Sequence, residues 1–163
     1  MHEHRTSTAS VGTIRIAVIT STYHHDITSA LRSGAVDAFA AGDGCPDDLL
    51  HVNAPGAWEL AVLTAAALDR VDVDAVVALG CVIAGETTHD TWINTGLATA
   101  LAGLSTRTGK PVGLGVLTCS THAQAAARAG GDHGNKGHDA MSATIDAVHA
   151  IRQLTIGAPP HDP

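Results

Sequence analysis

The sequence predicts an α/β fold, a three-layer α/β/α sandwich around a central, mostly parallel four-stranded sheet, with an arm at the N-terminus. Three observations predict it. Four short runs rich in Val, Ile and Leu recur along the 163 residues. A stretch with helical spacing of small apolar residues follows each of them, an order that yields parallel strands joined by crossover helices. One run, DAVVALGCVI, has almost no polar interruption, as expected of a strand covered on both faces.

Taken in order, residues 1–12 (MHEHRTSTASVG) read as a flexible arm. IRIAVIT, 14–20, is a buried strand. Residues 26–42 form a helix with Leu31, Ala35 and Ala38 on one side and Gly42 as its stop. DLLHVNA, 48–54, is a weaker second strand. A Pro-Gly pair then opens a helix over 55–70, before the buried strand at 74–83. Residues 92–109 are a third helix closed by Gly109, and PVGLGVLTC, 111–119, is the fourth strand. A short helix over 121–130, a glycine-rich break at 131–137 and a last helix over 138–154 complete the pattern. No internal repeat or linker divides it, so residues 13–154 are one domain, and 155–163 are expected to be a disordered tail.

Composition excludes several classes of function. A net charge of −7 argues against non-specific nucleic-acid binding. Cys45, Cys81 and Cys119 form no CxxC pair and fit a reduced, cytoplasmic protein. No stretch is long and apolar enough to cross a bilayer, and the leader has no hydrophobic signal core. The 11 histidines include no HExxH and no compact cluster, so they read as mostly solvated residues, not as metal ligands. With only four aromatic residues (Tyr23, Phe39, Trp58 and Trp92), the core must be built from Ala, Val, Leu and Ile.

In sheets of this kind ligands bind beyond the carboxyl ends of the strands. Those ends read TSTYHHD, NAPGAWE, GCVIAGETTH and GVLTCST, and the unusual residues gather there. After Ile83 the chain turns through Ala84-Gly85, with Thr87 or Thr88 placed to cap a helix. Backbone N–H groups and hydroxyls at such a start make an anion site, with His89 beside it to move protons. The plainer reading is a capping threonine and a surface histidine. Trp58 beside Glu59 suits a polyhydroxylated ligand, the ring packing and the acid accepting hydroxyl hydrogen bonds, although core or subunit packing would also explain the tryptophan. Tyr23 sits at a mouth, where it could stack on a heterocycle or simply cap a loop. Arg128 and Lys136 are scarce cations close together in sequence and suggest an anionic or carbonyl-rich ligand, against favourable placement at a helix end or in solvent. No GxGxxG follows the first strand.

The order of these motifs resembles the lumazine synthase family. IRIAVITSTYHHDIT, APGAWEL, LGCVIAGETTHD, GVLT and RAG…GNKG carry the resemblance, from about residue 12 to residue 154. It implies a flavodoxin-like fold and a transferase of riboflavin biosynthesis without metal or organic cofactor. The reaction implied condenses 5-amino-6-(D-ribitylamino)uracil with 3,4-dihydroxy-2-butanone 4-phosphate, releasing phosphate and water. By resemblance Tyr23 stacks on the pyrimidine with His24 nearby, and Ala57, Trp58 and Glu59 line the ribityl pocket. Cys81 belongs to the same binding stretch, where Val82 and Ile83 meet the uracil edge through backbone groups. Gly85, Glu86 and Thr87 bind the phosphate, and His89 transfers protons. Leu114, Arg128 and Lys136 come from a neighbouring subunit, Arg128 toward the phosphate and Lys136 toward the uracil. The resemblance further implies a pentamer, or a shell of twelve pentamers, with residues 1–12 paired to a neighbour's sheet and riboflavin synthase as a partner. The sequence departs from the family where Leu114 replaces a frequent aromatic residue, where Glu59-Leu60-Ala61 replaces Glu-Ile-Pro, and where Asp90-Thr91-Trp92 follows His89. A non-catalytic flavin- or lumazine-binding, or shell-forming, relative is the competing expectation.

Overall fold

The computed structural model describes residues 13–86 and 88–156. The expected arm, the residue Thr87 and residues 157–163 of the expected tail lie outside the described residues. Four strands, β1 (Ile16–Ser21), β2 (Leu49–Ala54), β3 (Ala75–Ile83) and β4 (Val112–Cys119), form one all-parallel sheet in the order β2-β1-β3-β4. Helices α1 (His25–Ala41), α2 (Leu60–Leu68), α3 (His89–Thr108), α4 (His122–Arg128) and α5 (Lys136–Thr155) connect and cover it. The three-layer arrangement is therefore as the sequence predicts.

The period-two alternation of the strands sorts the core into two layers. Ile16 and Val18 of β1, Ala75, Val77, Leu79 and Cys81 of β3, and Leu117 of β4 pack with α1, α4 and α5. Ala17, Ile19, Val76 and Ala78 pack with α2 and α3 on the other face. Phe39 is the only aromatic side chain in this core; Tyr23, Trp58 and Trp92 are exposed. β4 lies at one edge of the sheet, with Gly113 and Gly115 turned to α5. A side chain at Gly113 would run into Thr144, so the bare backbone lets α5 lie close.

Several boundaries move. The helix expected over 55–70 is shorter, because Ala57 and Trp58 accept i+3 bonds from the N–H groups of Leu60 (3.2 Å) and Ala61 (3.4 Å) before α-helical bonding begins. Ala57, Trp58 and Glu59 thus sit in a turn after Pro55-Gly56, where proline has no N–H to offer a helix. The third helix starts at His89, not at Trp92, with Thr88 as its N-cap. The fourth ends at Arg128, and the break after it contains a small antiparallel hairpin, β5 (Ala129–Gly131) with β6 (Gly134–Asn135). The last helix starts at Lys136 because the Asn135 side chain accepts from the N–H groups of Gly137 (2.9 Å) and His138 (3.2 Å). It runs to Thr155, one residue into the segment expected to be tail. No helix among the described residues is long and apolar enough to cross a membrane.

Candidate active site

The carboxyl ends of β1, β2 and β3 bring most of the expected residues to one mouth. At β1 the chain is fastened to β2: the Thr22 N–H donates to the Ala54 carbonyl at 2.8 Å and its hydroxyl to the Pro55 carbonyl at 3.3 Å. His24 then adopts a left-handed conformation (φ 53°) as the N-cap of α1. That conformation costs a non-glycine residue roughly 1–2 kcal/mol. Its carbonyl recovers hydrogen bonds from the N–H groups of Ile27 and Thr28, each 3.0 Å. The sharp reversal leaves Tyr23 66% exposed at the mouth, its ring edge-on to His24 with centroids 4.6 Å apart.

At β2 the turn after Pro55 presents Trp58 and Glu59. The Glu59 carboxylate folds back over Gly56, where a methyl group would lie 3.0 Å from Oε2. The Trp58 ring leans on α3, since a methyl on Gly96 would stand 2.9 Å from its Cζ3. Trp58, Glu59, Val62 and Ala100 line an apolar groove of about 260 Å³ between α2 and α3. The tryptophan is therefore not a core residue; it packs on its own α3 and stays 59% exposed.

β3 is the longest strand. Its last residue paired to β1 is Leu79, opposite Thr20, so Cys81, Val82 and Ile83 run on past the end of β1 while remaining paired to β4. Among the described residues, no strand lies beside the edge of this overhang that faces away from β4, so it can offer N–H and C=O groups to a planar ligand. The Cys81 side chain points away from this edge, buried among α1-side core residues. Burial first, then the nearby Cys119 and Asp26, push its thiol up to about 11, so it stays protonated at neutral pH and is no nucleophile. Beyond Ile83 the Ala84 N–H donates to the Cys119 carbonyl (2.8 Å), which anchors the turn. Gly85 and His89 come together as expected, because a methyl on Gly85 would lie 3.4 Å from the imidazole Cε1. Glu86 lies exposed in the same loop, and Thr88 caps α3 without a side-chain hydrogen bond. The partial positive charge at the start of this 20-residue helix favours an anion here.

Leu114, Arg128 and Lys136 lie elsewhere. They line a groove of about 240 Å³ along the open edge of β4. Arg128 donates from Nη1 to the Gln124 carbonyl at 3.0 Å, and the Lys136 ammonium pairs with Asp139 at 2.7 Å. Leu114 is 56% exposed. Arg128 and Lys136 are thus carried by α4 and α5 from one side of the sheet, whereas Trp58, Glu59 and His89 belong to the α2–α3 side.

Three residues near these positions escape a reading of the sequence. Asn135 is hidden inside the glycine-rich break, and its one signal is that asparagine before a periodic segment is a good helix cap. Asp26 and His122, 96 positions apart, join the starts of α1 and α4 by a 2.7 Å hydrogen bond that no local pattern announces. Among the described residues, no group of three or more His, Cys, Asp or Glu side chains could hold a metal ion.

Comparison with known proteins gives the family. Residues 13–152 match the family model for 6,7-dimethyl-8-ribityllumazine synthase. A protein of that name from Rhodopirellula baltica is 40% identical over 143 residues, 87% of this chain and 92% of its own length. Proteins of the same name from Aquifex aeolicus and Thermus thermophilus are 35% and 37% identical, covering 86% and 87% of this chain and 92% and 90% of their own. With the whole sheet and every mouth loop inside the matched region, the chain belongs to the 6,7-dimethyl-8-ribityllumazine synthase family.

Proposed function

We propose that this chain condenses 5-amino-6-(D-ribitylamino)uracil with 3,4-dihydroxy-2-butanone 4-phosphate to give 6,7-dimethyl-8-ribityllumazine, releasing phosphate and water. The observation that carries the proposal is the overhang of β3 past β1, which leads directly to Gly85, Glu86 and His89 at the start of α3. Bare strand edge beside an anion-favouring helix start suits a pyrimidine held next to a small phosphate ester.

In this reading the main chain of Val82 and Ile83 hydrogen-bonds the uracil edge, and Tyr23 stacks on the ring beside His24. Ala57, Trp58 and Glu59 hold the ribityl chain, with Glu59 accepting from its hydroxyls. The N–H groups at Gly85 and Glu86, with the Thr87 hydroxyl, take the phosphate. Arg128 of a second copy neutralises that phosphate, Lys136 of the same copy meets a uracil carbonyl, and Leu114 closes the ring pocket. The amine of the pyrimidine adds to the ketone and a first water leaves; phosphate is then eliminated, and the ribityl-bearing amine closes the ring onto the carbonyl so formed with loss of a second water. Each step needs proton transfer, which His89 supplies beside the phosphate. Holding the two reactants together can account for roughly 7–11 kcal/mol of the barrier, and a general acid–base for about 10²–10⁴-fold more. The working unit is an assembly of identical chains, a pentamer or a shell of pentamers, in the cytoplasm; riboflavin synthase, which consumes the product, is the partner proposed.

Mixing both substrates with the purified protein and following lumazine fluorescence tests the reaction. Product formation that depends on both substrates is expected. A non-catalytic flavin- or lumazine-binding or shell-forming relative is the second reading, favoured by the aliphatic Leu114 where relatives often carry an aromatic ring. It would bind product without making it, and that outcome would overturn the first reading.

A further inference from the structure

We infer that Asn135 is a positioning residue for Lys136, acting through a hydrogen bond to the second turn of α1. The inference rests on the reading above that Lys136 meets the pyrimidine. Asn135 does more than cap α5. Its Oδ1 accepts from Gly137 and His138, as a serine, threonine or aspartate cap would. Its Nδ2 also donates to the Ala30 carbonyl at 2.9 Å, across 105 positions of sequence. Aspartate has no such donor and serine cannot reach, so the need for a cap alone does not explain asparagine here.

The surroundings are shaped around that amide. Gly34 lies against it on α1, and a side chain at Gly34 would occupy the volume of the Asn135 side chain. Gly137 lies against α1 from the other direction, and a side chain there would run into the Leu31 carbonyl. The backbone of Lys136 is therefore held on both sides, by the amide before it and by the glycine contact after it. The lysine side chain reaches out from this fixed backbone to pair with Asp139, and it lines both the β4-edge groove and a second groove of about 340 Å³ beside α5. A lysine projecting from so fixed an origin reaches one region of the facing surface. Loss of the tie to α1 would let that origin shift, and a misplacement of about 1 Å at a ligand contact is enough to cost up to 10²-fold.

The test uses N135S and N135D, both of which keep a good helix cap, beside K136M and the two double variants. KM for each substrate and kcat are measured on assembled protein, with assembly checked by light scattering. N135S and N135D are each expected to raise KM for the ribitylaminouracil about tenfold, a shift well inside the loss a 1 Å misplacement can cause, with KM for the butanone phosphate within about twofold. In the K136M background neither is expected to raise it further, because Asn135 acts through Lys136. A normal KM in N135S and N135D while K136M is impaired would overturn the inference alone. So would an equal loss for both substrates, or additive loss in the double variants, since either would mark a merely structural role. An unimpaired K136M would instead overturn the assignment of Lys136 itself, and the inference with it. If N135D fails to assemble because its carboxylate faces the Ala30 carbonyl, N135S decides.

Discussion

His89 opens α3 with its ring over Gly85, so its removal should touch proton transfer more than binding. His89→Ala is expected to lower kcat by about 10²-fold without abolishing turnover, since holding the reactants together survives the change; steady-state kinetics would check it. Arg128 now spends its guanidinium on the carbonyl of its own helix, at Gln124. Arg128→Ala is expected to raise KM for the phosphate substrate roughly 10–100-fold, the scale of a lost charge-assisted hydrogen bond, with little effect on the pyrimidine. An unchanged KM would count against that role. At this scale the sequence was informative wherever chemistry is local. Gly85 and His89 lie four positions apart, and their meeting follows from one turn and the start of a helix. Trp58 was only half legible, because its contact with Gly96 depends on how α2 and α3 pack. The contact between Asp26 and His122 was not legible at all, since it joins residues that only tertiary folding brings together.

Among elements, the contact between α1 and α5 is the tightest feature of the α1 layer. Gly34→Ala would place a methyl group on the Asn135 side chain, and we expect it to destabilise the fold by about 1–3 kcal/mol, as overpacking does. Chemical denaturation would measure this. A neutral result would show that Asn135 can move aside. The elements themselves were mostly legible, because apolar periodicity is strong in a chain so rich in alanine and valine. Their starts were less so. The Pro-Gly pair at 55–56 reads as a helix opening, yet three turn residues intervene and carry Trp58 and Glu59 clear of the helix. The start of α5 lies two residues before the one the sequence predicts, because glycines 130, 131, 134 and 137 mask the cap between them.

For the molecule as a whole, the alternation of strands and helices was enough to predict a parallel sheet with covered faces, while nothing local gave the order β2-β1-β3-β4. The tie between α1 and α4 also bears on the acid limit of the fold. Some desolvation works against the exposed Asp26 carboxylate, but the hydrogen bonds from His122 and the Ile27 N–H outweigh it, so the group ionises below its ordinary 3.8. A carboxyl depressed in the folded state adds stability above its unfolded pKa, and that stability is lost as pH falls through the folded value. Asp26→Asn is thus expected to lower the urea midpoint at neutral pH and to match the parent chain once pH drops below the folded value. Parallel curves across the whole range would contradict this.

The placing of His89 on one flank of the sheet and Arg128 on the other has a genetic consequence. In the assembly proposed above, two defective chains, one lacking only the imidazole and the other only the guanidinium, co-assemble, and some of the shared pockets inherit an intact half from each parent. Blending the two impaired preparations after dissociation and reassembly should then give more turnover than the average of the two parents.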